Sequence, residues 1–150
     1  MEVYLAYGSN INLKQIKERC PTAQFLSKVV LKGYKHTFPL HSVSWGDGVA
    51  GIVLDKKEQV EGVAYKISKD DLEKLDKFEG VDKGAYFRKK EKIVLENGLI
   101  LKAWIYLPIS DNNSSFPPSL KYIDTILEGG RDHELSIQFI DYLASIKLKQ

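Results

Sequence analysis

The chain has 150 residues, of which 43% are hydrophobic and 28% charged, the balance of one folded domain spanning 1–150 rather than of a disordered or membrane-spanning protein. The 22 basic and 20 acidic residues leave a formal net charge of +2, too weak a bias to predict binding to nucleic acid or to an anionic membrane. The single cysteine, Cys20, excludes an intrachain disulfide and a cysteine-based metal cluster. No export signal precedes Glu2-Val3-Tyr4, so we expect a cytoplasmic protein with a small-molecule ligand.

The first half of the chain is predicted to be mostly β-strand. Asn10 or Asn12 is positioned to cap a short helix in which Leu13 and Ile16 fall on one face. Apolar and β-branched residues around this helix, with a polar turn expected at 55–59, predict strands at 3–7, 25–38, 49–54 and 60–67.

A helix is predicted to begin at Ser68, because a serine followed three residues later by Asp71 is typical of a helix start. Its apolar residues share one face, and Gly80 is suited to end it. The pattern therefore places Glu79 at the carboxyl end of a helix with one buried face.

The dipeptide Asn97-Gly98 predicts a tight hairpin between strands at 85–95 and 99–107, because these two residue types adopt positive φ at low cost. A polar, loop-like segment is predicted at 110–118. After Pro117-Pro118, the apolar spacing predicts a helix that ends at Gly129-Gly130, and then a last helix through 137–146. The fold class is thus α+β, with about six strands and three or four short helices.

The loop after the first strand is a candidate anion site. Gly8 allows the backbone to approach a ligand closely, and unpaired N–H groups before a helix attract a carboxylate or a developing oxyanion. An ordinary turn is the alternative explanation of Gly8-Ser9-Asn10. Ser9 is a poor match for a hydrolase nucleophile, because Tyr7 and Ile11 stand where that motif requires glycine.

Glu79 is a candidate acid/base residue. Partial burial and the negative end of the helix dipole both disfavour its charged form, which would bring its pKa towards neutrality. A carboxyl group in that range transfers protons efficiently. The alternative is a solvated glutamate at a helix end.

Aromatic hydroxyls supply the other candidates. Tyr122 follows a Pro-rich segment and is equally well explained as a core residue, whereas Tyr86 and Tyr106 lie in predicted strands, where packing is the default explanation. The histidines His36, His41 and His133 lack metal-ligand spacing, so no metal site is predicted.

Taken in order, four segments resemble the γ-glutamyl cyclotransferase family over nearly the whole chain. Residues 4–10, YLAYGSN, are similar to the family's substrate-binding loop, and residues 60–65, VEGVAY, to the strand before its catalytic helix. Residues 75–81, LDKFEGV, followed by Gly84-Ala85-Tyr86, resemble the helix end that carries the catalytic glutamate. Residues 117–122, PPSLKY, resemble the segment whose tyrosine contacts substrate in the enzymes acting on γ-glutamyl amino acids.

The resemblance implies a small mixed barrel-like sheet with flanking helices, and a cyclotransferase that releases 5-oxoproline and a free amino acid. Glu79 would be the general acid/base, and no cofactor or metal would be needed. A γ-glutamyl compound would be the small-molecule partner, and the assembly a homodimer. The substrate-binding residues implied are Tyr4, Leu5, Ala6, Tyr7, Gly8, Ser9, Asn10, Tyr86 and Tyr122.

Three other interpretations stay open at this point. A cyclotransferase of the same fold could act on γ-glutamylamines or on a γ-glutamylated biosynthetic intermediate. A non-catalytic binding module of this fold is an alternative of another class. A nucleic-acid-binding barrel would use the lysines interleaved with aromatic residues at 28–38, which a solvated strand face explains equally well.

Overall fold

The computed structural model describes residues 1–42, 47–109 and 115–149. Within these ranges five strands form a closed barrel in the order β1-β3-β2-β4-β5. Neighbouring strands are antiparallel except for β1 and β5, which run parallel where Tyr4 pairs with Trp104. The α+β class and the mixed barrel are confirmed. The strands are β1 (Glu2–Ala6), β2 (Gln24–Ser42), β3 (Asp47–Ile67), β4 (Tyr86–Leu95) and β5 (Ile100–Pro108).

The structure has five strands among the described residues rather than about six, because the predicted polar turn at 55–59 does not divide β3. The register with β2 passes from the pair Lys32–Gln59 to the pair Tyr34–Leu54, so residues 55–58 form a bulge opposite Gly33. Gly33 takes a φ of 87°, which L-residues with side chains rarely adopt. The polar residues therefore mark a bulge in one continuous strand.

The β4–β5 hairpin is confirmed, but its turn differs from the expected type. Among the described residues of this turn only Gly98 has a positive φ, of 88°, so Asn97 does not share the left-handed conformation. The N–H of Gly98 donates to the carbonyl of Leu95, and the N–H of Leu95 donates to that of Leu99. This pattern is typical of a longer hairpin loop that ends in a left-handed glycine.

Two helices before the hairpin begin where the sequence indicated. Helix α1 (Leu13–Arg19) is capped by Asn12, whose Oδ1 accepts from the N–H of Gln15 at 3.2 Å. Helix α2 (Lys69–Phe78) is capped by Ser68, whose Oγ accepts from the N–H of Asp71 at 3.0 Å. Gly80, with a φ of 68°, follows the end of α2 in the left-handed conformation expected of a C-terminal glycine.

The last two helices are α3 (Leu120–Asp132) and α4 (Ile137–Leu148). Helix α3 does not end at Gly129-Gly130 as predicted, but continues through both glycines. The reason is close packing: a Cβ on Gly129 would lie 2.6 Å from the backbone N of Asn12. Glycine here lets α3 rest against the backbone that connects β1 to α1.

The polar segment predicted at 110–118 lies partly outside the described residues, which omit 110–114. In the described parts of the chain, no helix has both the length and the apolar character needed to cross a membrane.

Candidate active site

A cavity of about 460 Å³ opens at one end of the barrel. Its wall is built from the end of β1 and the following loop, the last turn of α1, the β2–β3 ladder, the end of α2, and single tyrosines from β4, β5 and α3. The lining residues are Tyr4, Tyr7, Gly8, Ser9, Asn10, Arg19, Leu40, His41, Val49, Ala50, Lys77, Phe78, Glu79, Gly80, Lys83, Ala85, Tyr86, Tyr106 and Tyr122.

Glu79 is the one carboxylate among these lining residues. Its N–H donates to the carbonyl of Leu75 at 2.9 Å, which holds it in the last turn of α2. The left-handed Gly80 then turns the chain back, and the carbonyl of Gly80 accepts from the N–H of Ala85 at 3.0 Å. The carboxyl group is thereby fixed on rigid backbone and faces the tyrosines across the cavity.

Burial raises the pKa of Glu79 to about 7. The positive charge of Arg19 opposes this rise, and the negative charge of Asp76 adds to it. The cause is therefore mainly desolvation, which disfavours the ionised form of a carboxyl group. Near neutral pH both protonation states are populated, as a group that accepts and returns a proton requires.

Hydrogen bonds from Gln15 of α1 hold the loop after β1 in place. Gln15 Nε2 donates to Ser9 Oγ at 2.6 Å and to Asn10 Oδ1 at 3.0 Å. Asn10 Nδ2 in turn donates to the hydroxyl of Tyr4 at 3.0 Å. Among the described residues no base lies within hydrogen-bond distance of Ser9 Oγ, so its hydroxyl is a structural contact rather than an activated nucleophile.

At Gly8 this loop packs closely against Tyr122 and Ala50. A Cβ on Gly8 would lie 3.0 Å from the hydroxyl oxygen of Tyr122 and 3.2 Å from Cβ of Ala50, both tighter than ordinary contacts. Within the described ranges the N–H of Gly8 donates no hydrogen bond, and Gly8 lines the cavity. The loop therefore offers a backbone donor to an anion.

Tyr86 and Tyr122 bind the backbone of Ala50 at an irregularity in the β2–β3 ladder. The register shifts between Thr37 and Leu40, opposite Ala50. The N–H of Ala50 donates to the Tyr122 hydroxyl at 2.9 Å, and the Tyr86 hydroxyl donates to the carbonyl of Ala50 at 2.5 Å. Both tyrosines thus satisfy buried backbone groups that the ladder leaves without a β2 partner.

We expect Tyr122→Phe to reduce the free energy of unfolding by about 1–3 kcal/mol, because the buried N–H of Ala50 loses its acceptor. Chemical denaturation measures this change. Tyr34→Phe is the matched control: Tyr34 is buried in the core, but its hydroxyl makes no hydrogen bond to the described residues, so we expect a change within about 0.5 kcal/mol. Equal losses in the two variants would contradict the role given to the Tyr122 hydroxyl.

The cavity brings together most of the residues that the resemblance implied. Two are placed elsewhere: Leu5 and Ala6 are fully buried in the barrel core and are not among the cavity-lining residues. Adjacent side chains on a strand point to opposite faces, so the full burial of both residues means that both faces of β1 are covered at this point.

Two features of the site were not predicted from the sequence: Arg19, and the hydrogen bonds that Asp76 of α2 makes near Glu79. Asp76 Oδ1 accepts from the Tyr106 hydroxyl at 2.6 Å and from Arg88 Nε at 2.7 Å, so Tyr106, interpreted from the sequence as a packing residue, also lines the site. Arg19 follows Gln15 by four residues on α1 and so shares its face. That i,i+4 spacing was the signal available for Arg19; nothing local indicates the contacts of Asp76 with β4 and β5.

Comparison with known proteins identifies the family of this chain. The family model "Gamma-glutamyl cyclotransferase, AIG2-like" matches residues 4–124. The chain is 32% identical to human γ-glutamylcyclotransferase and 30% identical to the mouse protein, in each case over 97% of this chain and 78% of the relative. A solved structure of a γ-glutamyl cyclotransferase superposes with a TM-score of 0.90 at 30% identity, covering 95% of this chain and 86% of the other. The chain therefore belongs to the γ-glutamyl cyclotransferase, AIG2-like family.

Proposed function

We propose that this protein is a γ-glutamyl cyclotransferase that converts γ-glutamyl amino acids into 5-oxoproline and a free amino acid, with Glu79 as the general acid/base. The observation that carries the proposal is a single carboxyl group of raised pKa facing a cavity lined by tyrosines. The family to which the chain belongs, and the name of its human relative, support the reaction class.

The reaction needs no protein nucleophile, because the substrate carries its own. The α-amine nitrogen of the glutamyl group attacks the δ-carbonyl carbon and forms the C–N bond of a five-membered ring. The bond from that carbon to the leaving nitrogen then breaks. The attacking nitrogen loses two protons on the way from the α-ammonium group to the lactam N–H, and the leaving nitrogen gains two as it departs as an ammonium group. Ionised Glu79 carries these protons one after the other from the first nitrogen to the second, so the enzyme ends each cycle unchanged. Orientation within the cavity supplies much of the remaining rate.

We assign the N–H of Gly8 to an anion on the glutamyl part of the substrate. Its position beside Tyr122 lets it contact the α-carboxylate or the oxyanion that forms on the δ-carbonyl oxygen. Donors aimed at a developing oxyanion lower the barrier by about 3 kcal/mol each. Tyr86 and Tyr122 would keep this wall of the cavity in place through Ala50.

We expect kcat/KM to fall as the pH drops below about 7, because protonated Glu79 cannot accept the α-ammonium proton. The acidic limb should have a slope of one and should be absent from the residual activity of Glu79→Gln. A rate profile with 5-oxoproline as the measured product tests this. An acidic limb near the usual glutamate pKa would contradict the perturbed carboxyl group.

The experiment that tests the function is 5-oxoproline release from γ-glutamyl amino acids, glutathione and γ-glutamylamines. We expect release from γ-glutamyl amino acids to be fastest. Preference for a γ-glutamylamine would favour the related branch, and absence of release from every compound would favour a binding module.

We also propose where the protein is located and how it assembles. A cytoplasmic location is supported by a lone, buried cysteine, which needs no oxidising compartment. We also propose a homodimer, for which the family resemblance is the only support, and light scattering on the purified protein measures the assembly.

A further inference from the structure

The cavity lining carries more basic than acidic side chains. Arg19, Lys77 and Lys83 all line it, against the single carboxylate of Glu79. The two lysines are exposed to solvent, whereas Arg19 is partly buried in the wall. A surplus of cations around a cavity attracts an anionic ligand.

Arg19 is held in place without an acidic partner. Its Nη1 donates to Asn10 Oδ1 at 3.2 Å, and its guanidinium carbon lies 4.9 Å from the ring centroid of Phe78. Across the described ranges no carboxylate lies within ion-pair distance of Arg19. A guanidinium has five N–H donors in a planar fork that matches a carboxylate, and the recorded contacts use one of them.

Arg19 contacts both a buried and an exposed residue of the cavity lining. Tyr7, Ser9 and Tyr122 form a buried inner wall. The guanidinium stacks on Phe78, whose side chain is 57% exposed, and its Nη1 donates to the buried Asn10. Glu79 follows Phe78 directly in the chain, and the positive charge of Arg19 acts on its carboxyl group.

We propose that Arg19 binds the carboxylate of the leaving amino acid and so selects γ-glutamyl amino acids over γ-glutamylamines. The inference rests on the proposed function. The inner wall takes the glutamyl group, which every substrate shares, and Glu79 faces the scissile amide. The leaving group then extends towards the opening, where its carboxylate meets the guanidinium. A γ-glutamylamine lacks that carboxylate and leaves the arginine without its partner.

The test compares γ-glutamyl-L-alanine with γ-glutamyl-L-alaninamide, which differ only in the leaving-group carboxylate. We expect Arg19→Met to reduce kcat/KM for the carboxylate substrate by about 10- to 100-fold, mainly through KM, as for loss of a charged hydrogen-bonded pair. For the amide substrate kcat/KM should fall much less, so the ratio of kcat/KM between the two substrates should approach one. Arg19→Lys should keep part of the wild-type preference, and Arg131→Met, an exposed arginine on α3 outside the cavity, should keep all of it.

The ratio of kcat/KM between the two substrates separates recognition of the leaving-group carboxylate from other effects of replacing Arg19. Loss of Arg19 also removes a positive charge that lowers the pKa of Glu79, but that effect acts on both substrates alike. Equal losses on the two substrates, or no loss on either, would overturn the proposal. A wild-type protein that forms no 5-oxoproline from any γ-glutamyl compound would instead overturn the proposed function, before Arg19 is tested.

Discussion

Glu79→Gln should lower kcat by about 10²- to 10⁴-fold, the range in which a positioned acid/base residue contributes. Glutamine has nearly the shape of glutamate and can still form hydrogen bonds in the cavity, but it cannot take the proton from the α-ammonium group. Because no other carboxylate is among the lining residues, we expect no substitute within the site. Release of 5-oxoproline at saturating γ-glutamyl amino acid measures the loss.

The same variant should be folded, and at pH 8 more stable than the wild type. Burial raises the pKa of Glu79 from 4.5 in the unfolded reference to about 7, so the folded chain binds the proton more tightly. Stability contributed by the protonated group is therefore lost as the pH rises from about 4.5 to 7. The neutral glutamine avoids that loss, and the difference in melting temperature between the proteins should grow over this pH range.

Glu73→Gln provides the matched control, because Glu73 lies on the same helix but is exposed and outside the cavity. It should keep wild-type activity and the wild-type pH dependence of stability. If Glu79→Gln kept most of the activity, or lost it only by unfolding, Glu79 would not be the acid/base residue.

Gly129→Ala should destabilise the protein, although alanine is the better helix former. The exchange gains about 1 kcal/mol in helix propensity. The new methyl group, however, would lie 2.6–2.7 Å from backbone atoms of Ile11 and Asn12, which no side-chain rotation relieves. Overpacking of this kind costs about 1–3 kcal/mol. Since Ile11 and Asn12 follow the loop residues Ser9 and Asn10, kcat/KM should fall as well.

Gly130→Ala is the control on the neighbouring residue. There the methyl group would first meet Cδ1 of Ile140 at 3.0 Å, the end of a partly buried side chain that can move. We expect its melting temperature to equal or exceed that of the wild type, while Gly129→Ala falls by about 2–4 °C for each kcal/mol lost. Equal effects of the two changes would mean that α3 does not rest tightly on the Ile11–Asn12 backbone.

Residues close to one another in the sequence were sufficient to predict the helix that carries Glu79. Ser68 caps its start, and Gly80 ends it with a left-handed φ, so the position of Glu79 follows from residues close to it in the chain. The β4–β5 hairpin is another local feature, anchored by Gly98.

Features that depend on contacts between residues far apart in the chain could not be predicted from the sequence. A glycine pair usually ends a helix, and only the close approach of Asn12 explains why α3 continues through Gly129. The tyrosine contacts to Ala50 arise where the β2–β3 register shifts, which no local pattern indicates. Closure of the barrel likewise depends on the single parallel pairing of β1 with β5.

The origin of the oxygen atoms in the products tests the proposed reaction most directly. The protein would be incubated with a γ-glutamyl amino acid in water enriched in ¹⁸O, and the products analysed by mass spectrometry. Intramolecular attack by the α-amine predicts unlabelled 5-oxoproline and an equal amount of free amino acid, with both products greatly reduced in Glu79→Gln. Glutamate carrying ¹⁸O would mean that water is the nucleophile, and would contradict the cyclisation.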